Sequence, residues 1–218
     1  DKDGVDVQAI NAQLNTEIIP KILAKYPGVQ SSLEGEAKAN AEMIESLSKN
    51  GAVAMLIIYA LLAIPFRSYV QPLIVMSVIP FGLIGAAFGH FFTGQSLSMP
   101  SLFGVVALTG VVVNDSLVLV DYVNKEAKAG HSEIDAAWNA GIRRFRPIIL
   151  TSLTTFAGLI PILLERSLQA QFLIPMATSL AFGVLFATFL TLILVPVLYL
   201  VLADIKGLIG TTVSWLRV

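Results

Sequence analysis

Apolar residues along this chain gather into long runs rather than into the short alternations of a soluble core. Five runs approach the ~20 residues a helix needs to cross about 30 Å of hydrocarbon. They cover roughly residues 50–66, 70–92, 98–122, 147–164 and 172–202. The pattern predicts five transmembrane helices within a transmembrane region of residues 41–203. A helical segment from about Glu36, through Ala41, Ile44 and Leu47, leads into the first span.

Residues 1–40 alone carry the mixed pattern of a water-soluble segment. Asp6 is a plausible N-cap before a stripe of Ile10, Leu14, Ile18 and Ile22 at four-residue spacing, with Pro20 placed to kink or shorten that helix. Tyr26-Pro27-Gly28 predicts a turn, and residues 29–33 a strand. Such an α–β piece is too small to fold alone, so the expectation is the end of a larger domain. Opening on Asp1 rather than methionine, the chain reads as a piece of a longer one. Residues 204–218 form a tail, either an interfacial anchor through Ile205, Leu208, Ile209, Val213, Trp215 and Leu216 or a disordered end.

The basic residues orient the spans. Arg67 follows the first, Lys125, Lys128, Arg143, Arg144 and Arg146 follow the third, and Lys206 and Arg217 follow the fifth, against Arg166 alone in the short loops opposite. The arginine-rich side is expected in the cytoplasm and the N-terminal piece outside. A surface helix is expected at residues 132–143, where Ser132 and Asp135 resemble a capping box and Ile134, Ala137, Trp138 and Ile142 face the membrane.

Composition agrees and then excludes. Charged residues make up 13% of the chain, where soluble domains carry about 25%. There is no cysteine, which removes disulfides, thiolate catalysis and cysteine metal sites. His90 and His131 are too few for a histidine metal cluster, and a net charge of −1 gives no reason to expect nucleic acid. No phosphate-binding glycine loop, HExxH or GxSxG is present. An intramembrane aspartic protease would need a second mid-span carboxylate, which the other spans lack. No enzyme, bound metal or organic cofactor is expected.

Chemistry concentrates in the third and fourth spans. Asn114-Asp115 sits past the middle of the third, and an ionisable residue there is a functional hypothesis by default. Asp115 either takes up a proton, pairs with a cation, or serves as a structural clamp between helices. Asp121 lies nearer the cytoplasmic end. In the fourth span Thr151, Thr154, Thr155 and Gly158 share a face, as a proton path or as hydroxyl packing. Arg143, Arg144 and Arg146 are the positive-inside signal unless one reaches Asp115. Gly85 and Gly89, and the series Ser179, Gly183 and Ala187, predict close helix packing. Pro80, Pro175 and Pro196 predict kinks, and Glu165-Arg166 a solvated turn. His90 is expected at the outer membrane boundary.

Several segments together resemble a known family. They are Gly110-Val111-Val112-Val113-Asn114-Asp115-Ser116 through Asp121-Tyr122, Arg144-Phe145-Arg146-Pro147-Ile148-Ile149-Leu150-Thr151-Ser152, Gln171 through Pro175-Met176-Ala177 to Gly183, and Phe66-Arg67-Ser68-Tyr69. They look like the resistance–nodulation–division efflux transporters, the hydrophobe/amphiphile (acriflavine-resistance type) branch above all. The resemblance implies that the five spans are helices eight to twelve of a twelve-helix protomer and that residues 1–40 end a periplasmic porter domain. It implies a bacterial inner-membrane, proton-driven amphiphile exporter. The partners implied are the N-terminal half of the same polypeptide, two further protomers of a trimer, a periplasmic adaptor, an outer-membrane channel and the lipid bilayer. The family's proton relay uses paired aspartates in the fourth helix, outside this chain, with a lysine in the tenth helix and an arginine and a threonine in the eleventh. Arg144 and Thr151 match the last two. Asn114 stands at the lysine position with Asp115 beside it, so either Arg144 compensates or Asp115 joins the relay. The alternatives are a heavy-metal exporter of the same superfamily, disfavoured by five methionines and no cysteine, and a non-transporting scaffold or sterol-sensing-like module.

Overall fold

A computed structural model describes residue 10, residues 13–26, residue 28 and residues 35–215. The chain divides into two compact units, Asp1–Lys49 and Asn50–Val218. In the first, a π-helical turn at Leu14–Ile18 runs into α1, Ile19–Lys25. Pro20 lies in the first turn of α1, where its missing N–H costs no hydrogen bond, so it starts this helix rather than kinking it. Ile10, Leu14, Ile18 and Ile22 are all exposed. The expected strand at residues 29–33 and the Asp6 cap lie outside the described residues. Among the described ones no strand occurs, and this piece is helical. Glu36–Phe66 forms α2.

In the second unit α2 continues to Phe66 and is followed by α3, Gln71–Met76, and α4, Ile79–Thr93. Then come α5, Met99–Lys128, α6, Glu133–Leu163, and α7, Ala170–Trp215. Five stretches are long and apolar enough to cross a membrane: 38–66, 71–93, 99–128, 133–163 and 170–205. Among the described residues the chain is all-α, and its five long apolar helices make it a multi-pass membrane bundle.

Local chemistry explains the boundaries. Arg67, with φ of 50°, occupies the left-handed region that turns the chain out of α2. Ser68 Oγ then accepts the Val70 and Gln71 N–H groups, both at 3.3 Å, and opens α3. The second span breaks at Ser77-Val78. Pro80 has no N–H to give the Met76 carbonyl, and its ring crowds that group. Gly94, at φ of 68°, ends α4 in the left-handed conformation. The Ser132 cap forms, its Oγ accepting the Asp135 N–H at 3.1 Å and donating to the Asp135 carboxylate at 2.6 Å. The helix it opens does not stop at the membrane surface, because α6 runs on through Pro147 as one helix to Leu163. Pro175 and Pro196 are likewise carried inside α7, which continues through the expected tail to Trp215.

The core forms around α7, which packs on α4, α5 and α6. Val75, Val78, Leu119, Val120, Val123, Val184 and Val195 are completely buried there. Close approach depends on small residues. A Cβ on Gly104 would strike the Met176 carbonyl oxygen, and one on Gly183 would strike Leu108. Gly85 lies against Phe182, Gly183 and Phe186, and Gly89 against Phe182. Ser179 and Ala187 are fully buried in the same seam.

Candidate functional site

Helix α5 has two unlike faces. Leu108, Val112, Asp115, Ser116, Leu119 and Val123 recur at helical spacing and are buried, whereas Phe103, Val106, Gly110 and Asn114 lie on the open side. Asn114 is therefore exposed, while Asp115, one residue on, is 5% exposed. Among the described residues the Asp115 carboxyl has no hydrogen bond and no ion pair.

The structure does not bring Arg144 to Asp115. The Arg144 guanidinium lies over the Tyr122 ring, 5.1 Å from its centroid. Tyr122 is two helical turns past Asp115, about 10 Å along α5. Arg144 Nε is buried and has no hydrogen-bond partner among the described residues. Asp121 pairs with Lys125 at 2.7 Å on its own helix.

Because α5 and α6 are antiparallel, with Arg144 beside Tyr122, Thr151 is about level with Asp115. Thr151 is nevertheless exposed, and its hydroxyl donates to the Pro147 carbonyl at 2.8 Å. Thr154 and Thr155 both donate to the Thr151 carbonyl, at 2.9 Å each. These hydroxyls bond their own helix rather than a neighbour. Asn114 and Thr151 thus lie on open faces and Asp115 on a closed one.

Three polar clusters escaped the sequence reading. Ser152, beside Thr151, turns inward and shares a 2.6 Å hydroxyl–hydroxyl bond with Thr188 of α7. One turn further along α7, the Thr191 hydroxyl is buried with no partner among the described residues. Near the C-terminal end of α5, Gln71 and Asn124 exchange reciprocal amide bonds of 2.8 and 2.9 Å, and the Tyr199 hydroxyl donates to Asn124 Oδ1 at 2.9 Å. At the opposite end of the bundle His90, expected at the outer boundary, is buried with Nε2 2.9 Å from Ser179 Oγ. Nearby, Thr178 donates to Gln95 Oε1 at 3.3 Å. The available signal was polar residues inside apolar runs, but nothing in the sequence told inward from outward.

Comparison with known proteins places this geometry in a family. The sequence model of the AcrB/AcrD/AcrF family, which are resistance–nodulation–division transporters, matches residues 6–203. The swarming motility protein SwrC of Bacillus subtilis (strain 168) is 32% identical over 171 residues. That match covers 77% of this chain and 16% of SwrC, so the chain spans about a sixth of that relative's length. Two crystal forms of a heavy metal efflux pump share the fold, with TM-scores of 0.76 and 0.73. Each is 22% identical, over 92% of this chain and 20% of the pump. On the match across residues 6–203, this chain belongs to the AcrB/AcrD/AcrF family of resistance–nodulation–division transporters.

Proposed function

We propose that this chain is the C-terminal membrane part of a proton-driven exporter of amphiphilic compounds, working as a proton/substrate antiporter in the bacterial inner membrane. The observation that carries the reading is the open face bearing Asn114 and Thr151. The exposed Asn114 amide at mid-span is costly against lipid and fits a further set of helices packed there, whereas the Thr151 hydroxyl is already bonded to the Pro147 carbonyl. The N-terminal half of the same polypeptide is the natural occupant, and its acidic pair would face Asn114. Residues 1–40 would complete a periplasmic porter domain that covers the stripe of Ile10, Leu14, Ile18 and Ile22. Three protomers, a periplasmic adaptor and an outer-membrane channel complete the assembly in this reading.

In this scheme protonation of carboxyls near Asn114 changes their hold on Asn114, Arg144 and Thr151. Helices α5 and α6 then shift relative to the partner half. The heavy-metal pumps share the fold at an identity that says nothing of substrate. The test is uptake and efflux in a pump-deficient cell that carries the full-length protein. Export of a fluorescent amphiphile, lost on adding an uncoupler, is the expected result. Resistance to metal salts without amphiphile export would replace the substrate class, and no transport of either would favour a scaffold.

A further inference from the structure

Four elements bring polar groups or broken backbone to one level of the bundle. Helices α5 and α7 are parallel and in fixed register, because Gly104 meets Met176 and Ser179, Leu108 meets Gly183, and Asn124 meets Tyr199. Continuing that register puts Asp115 and Ser116 level with Thr191. Thr188, one turn before Thr191, is bonded to Ser152 of α6. Helix α4 runs antiparallel to α7, with Gly82 by Ala187 and Gly85 by Gly183, so the Ser77-Val78 break falls opposite Thr191. At that break the Met76 carbonyl has lost the N–H that Pro80 cannot supply. Irregular backbone at membrane depth is tolerated where it is buried in protein or lines a cavity, and this break is buried, with Val78 completely enclosed.

We infer that Asp115, Thr191 and the α3–α4 break form an internal proton-binding site, closed off from the open face that carries Asn114. The inference rests on the proton-driven reading above only for what the proton does. A buried carboxylate with no counter-charge is too costly to stand alone in hydrocarbon. No such charge faces it among the described residues. On α5 itself Asp121 is held by Lys125, and Glu126 lies by His131. On α6 Arg144 lies on Tyr122. On α4 His90 is at the outer end with Ser179. On α7 the nearest charge towards the cytoplasm, Asp204, is about 20 Å along the helix from Thr191. The spans of α2 and α3 contribute none at this depth.

A proton fits the site better than a metal cation. The hydroxyls of Ser152 and Thr188 lie 2.6 Å apart, and one donates to the other while the second donates to its own helix, where the Ile148 and Val184 carbonyls are at 3.0 and 2.7 Å. The unbonded oxygens at this level are the Asp115 carboxyl, the Thr191 hydroxyl and one freed carbonyl. With the Ser116 hydroxyl, which donates to the Val112 carbonyl at 2.9 Å, they remain short of the about six oxygens a hard cation needs. Among the described residues Asp115 and Thr191 are each unpartnered and not bonded to one another. A hydroxyl can accept from a protonated carboxyl or donate to a carboxylate, so a bond formed between them would suit both states. Loading forms an O–H bond on Asp115, and unloading returns the proton to water, with no other covalent change.

The test is infrared difference spectroscopy between acidic and alkaline buffer, on the full-length protein in lipid vesicles. A carboxylic-acid carbonyl band that shifts in heavy water is expected. It should vanish in Asp115→Asn, shift in Thr191→Val and persist in Asn114→Ala. A band set that neither Asp115→Asn nor Thr191→Val alters overturns the site. A titration that moves when sodium replaces potassium overturns the proton in favour of a metal cation. Should the band behave as expected while export ignores an uncoupler, the internal site stands and the proton-driven reading falls.

Discussion

Asn114 and Asp115 are adjacent in sequence, yet they point to different sides of α5. Asn114 is on the open face, and Asp115 is 5% exposed against the neighbouring helices of this chain. One residue is 100° of helix, and that rotation separates an open position from one already enclosed. In the full-length protein Asn114→Leu is therefore expected to uncouple export without loss of folding. Asp115→Leu should impair coupling too. Vesicle-based proton flux together with detergent melting curves distinguishes the two. A large stability loss in Asn114→Leu would place that residue in a core contact instead.

The α5–α7 seam is set by backbone approach. Gly104→Ala would push a methyl group into the Met176 carbonyl, and Gly183→Ala would push one into Leu108. Overpacking of this kind costs about 1–3 kcal/mol. The backbone-facing case should be worse, since a carbonyl cannot change rotamer as Leu108 can. Melting of both variants of the full-length protein checks the order. Equal or unchanged melting would show that the helices separate freely there.

Near the C-terminal end of α5, Gln71 and Asn124 satisfy one another, and Tyr199 adds a third bond. Removing one amide leaves the other unsatisfied, at about 1–3 kcal/mol. Gln71→Leu and Asn124→Leu should each destabilise, and the double variant should cost less than their sum. A double-mutant cycle by denaturation reads this directly. Simple additivity would mean that the pair does not act as a unit.

Glu165, in the turn between α6 and α7, accepts the Ser167 N–H at 3.0 Å and the Arg166 N–H at 2.9 Å. The Ser167 backbone bond first, then that of Arg166, holds its carboxyl below the ordinary carboxylate range. A depressed folded-state pKa stabilises the turn above the unfolded value, about 4.3 for Glu. That contribution is lost as pH falls through the folded value. Amide exchange of Arg166 and Ser167, corrected for intrinsic rate, should therefore quicken only in that acidic window. In Glu165→Ala it should be fast throughout, and a protection pattern indifferent to both would remove the cap.

Hydropathy carried the spans, because length and apolarity are written directly in the sequence. It did not carry their rotation. In lipid both the outer and the packed faces are apolar, so periodicity no longer marks the inside. Thr151 and Ser152 show the consequence, since the reading singled out Thr151, which is exposed, and passed over Ser152, which is buried on Thr188. Prolines were half informative. Pro80 breaks its span, whereas Pro147 is absorbed within α6, so the surface helix and the fourth span are continuous. The Ser132 cap was readable because capping is local. The level shared by Asp115 and Thr191 was not, because it depends on the register of two helices about 75 residues apart in sequence.

The most direct test of proton-driven export is efflux of a fluorescent amphiphile by the full-length protein, with and without an uncoupler, in wild type and Asp115→Asn. Proton-driven export requires efflux that collapses with the uncoupler and is lost or sharply reduced in the variant, with the protein still present in the membrane. Efflux that persists in the presence of the uncoupler would contradict it.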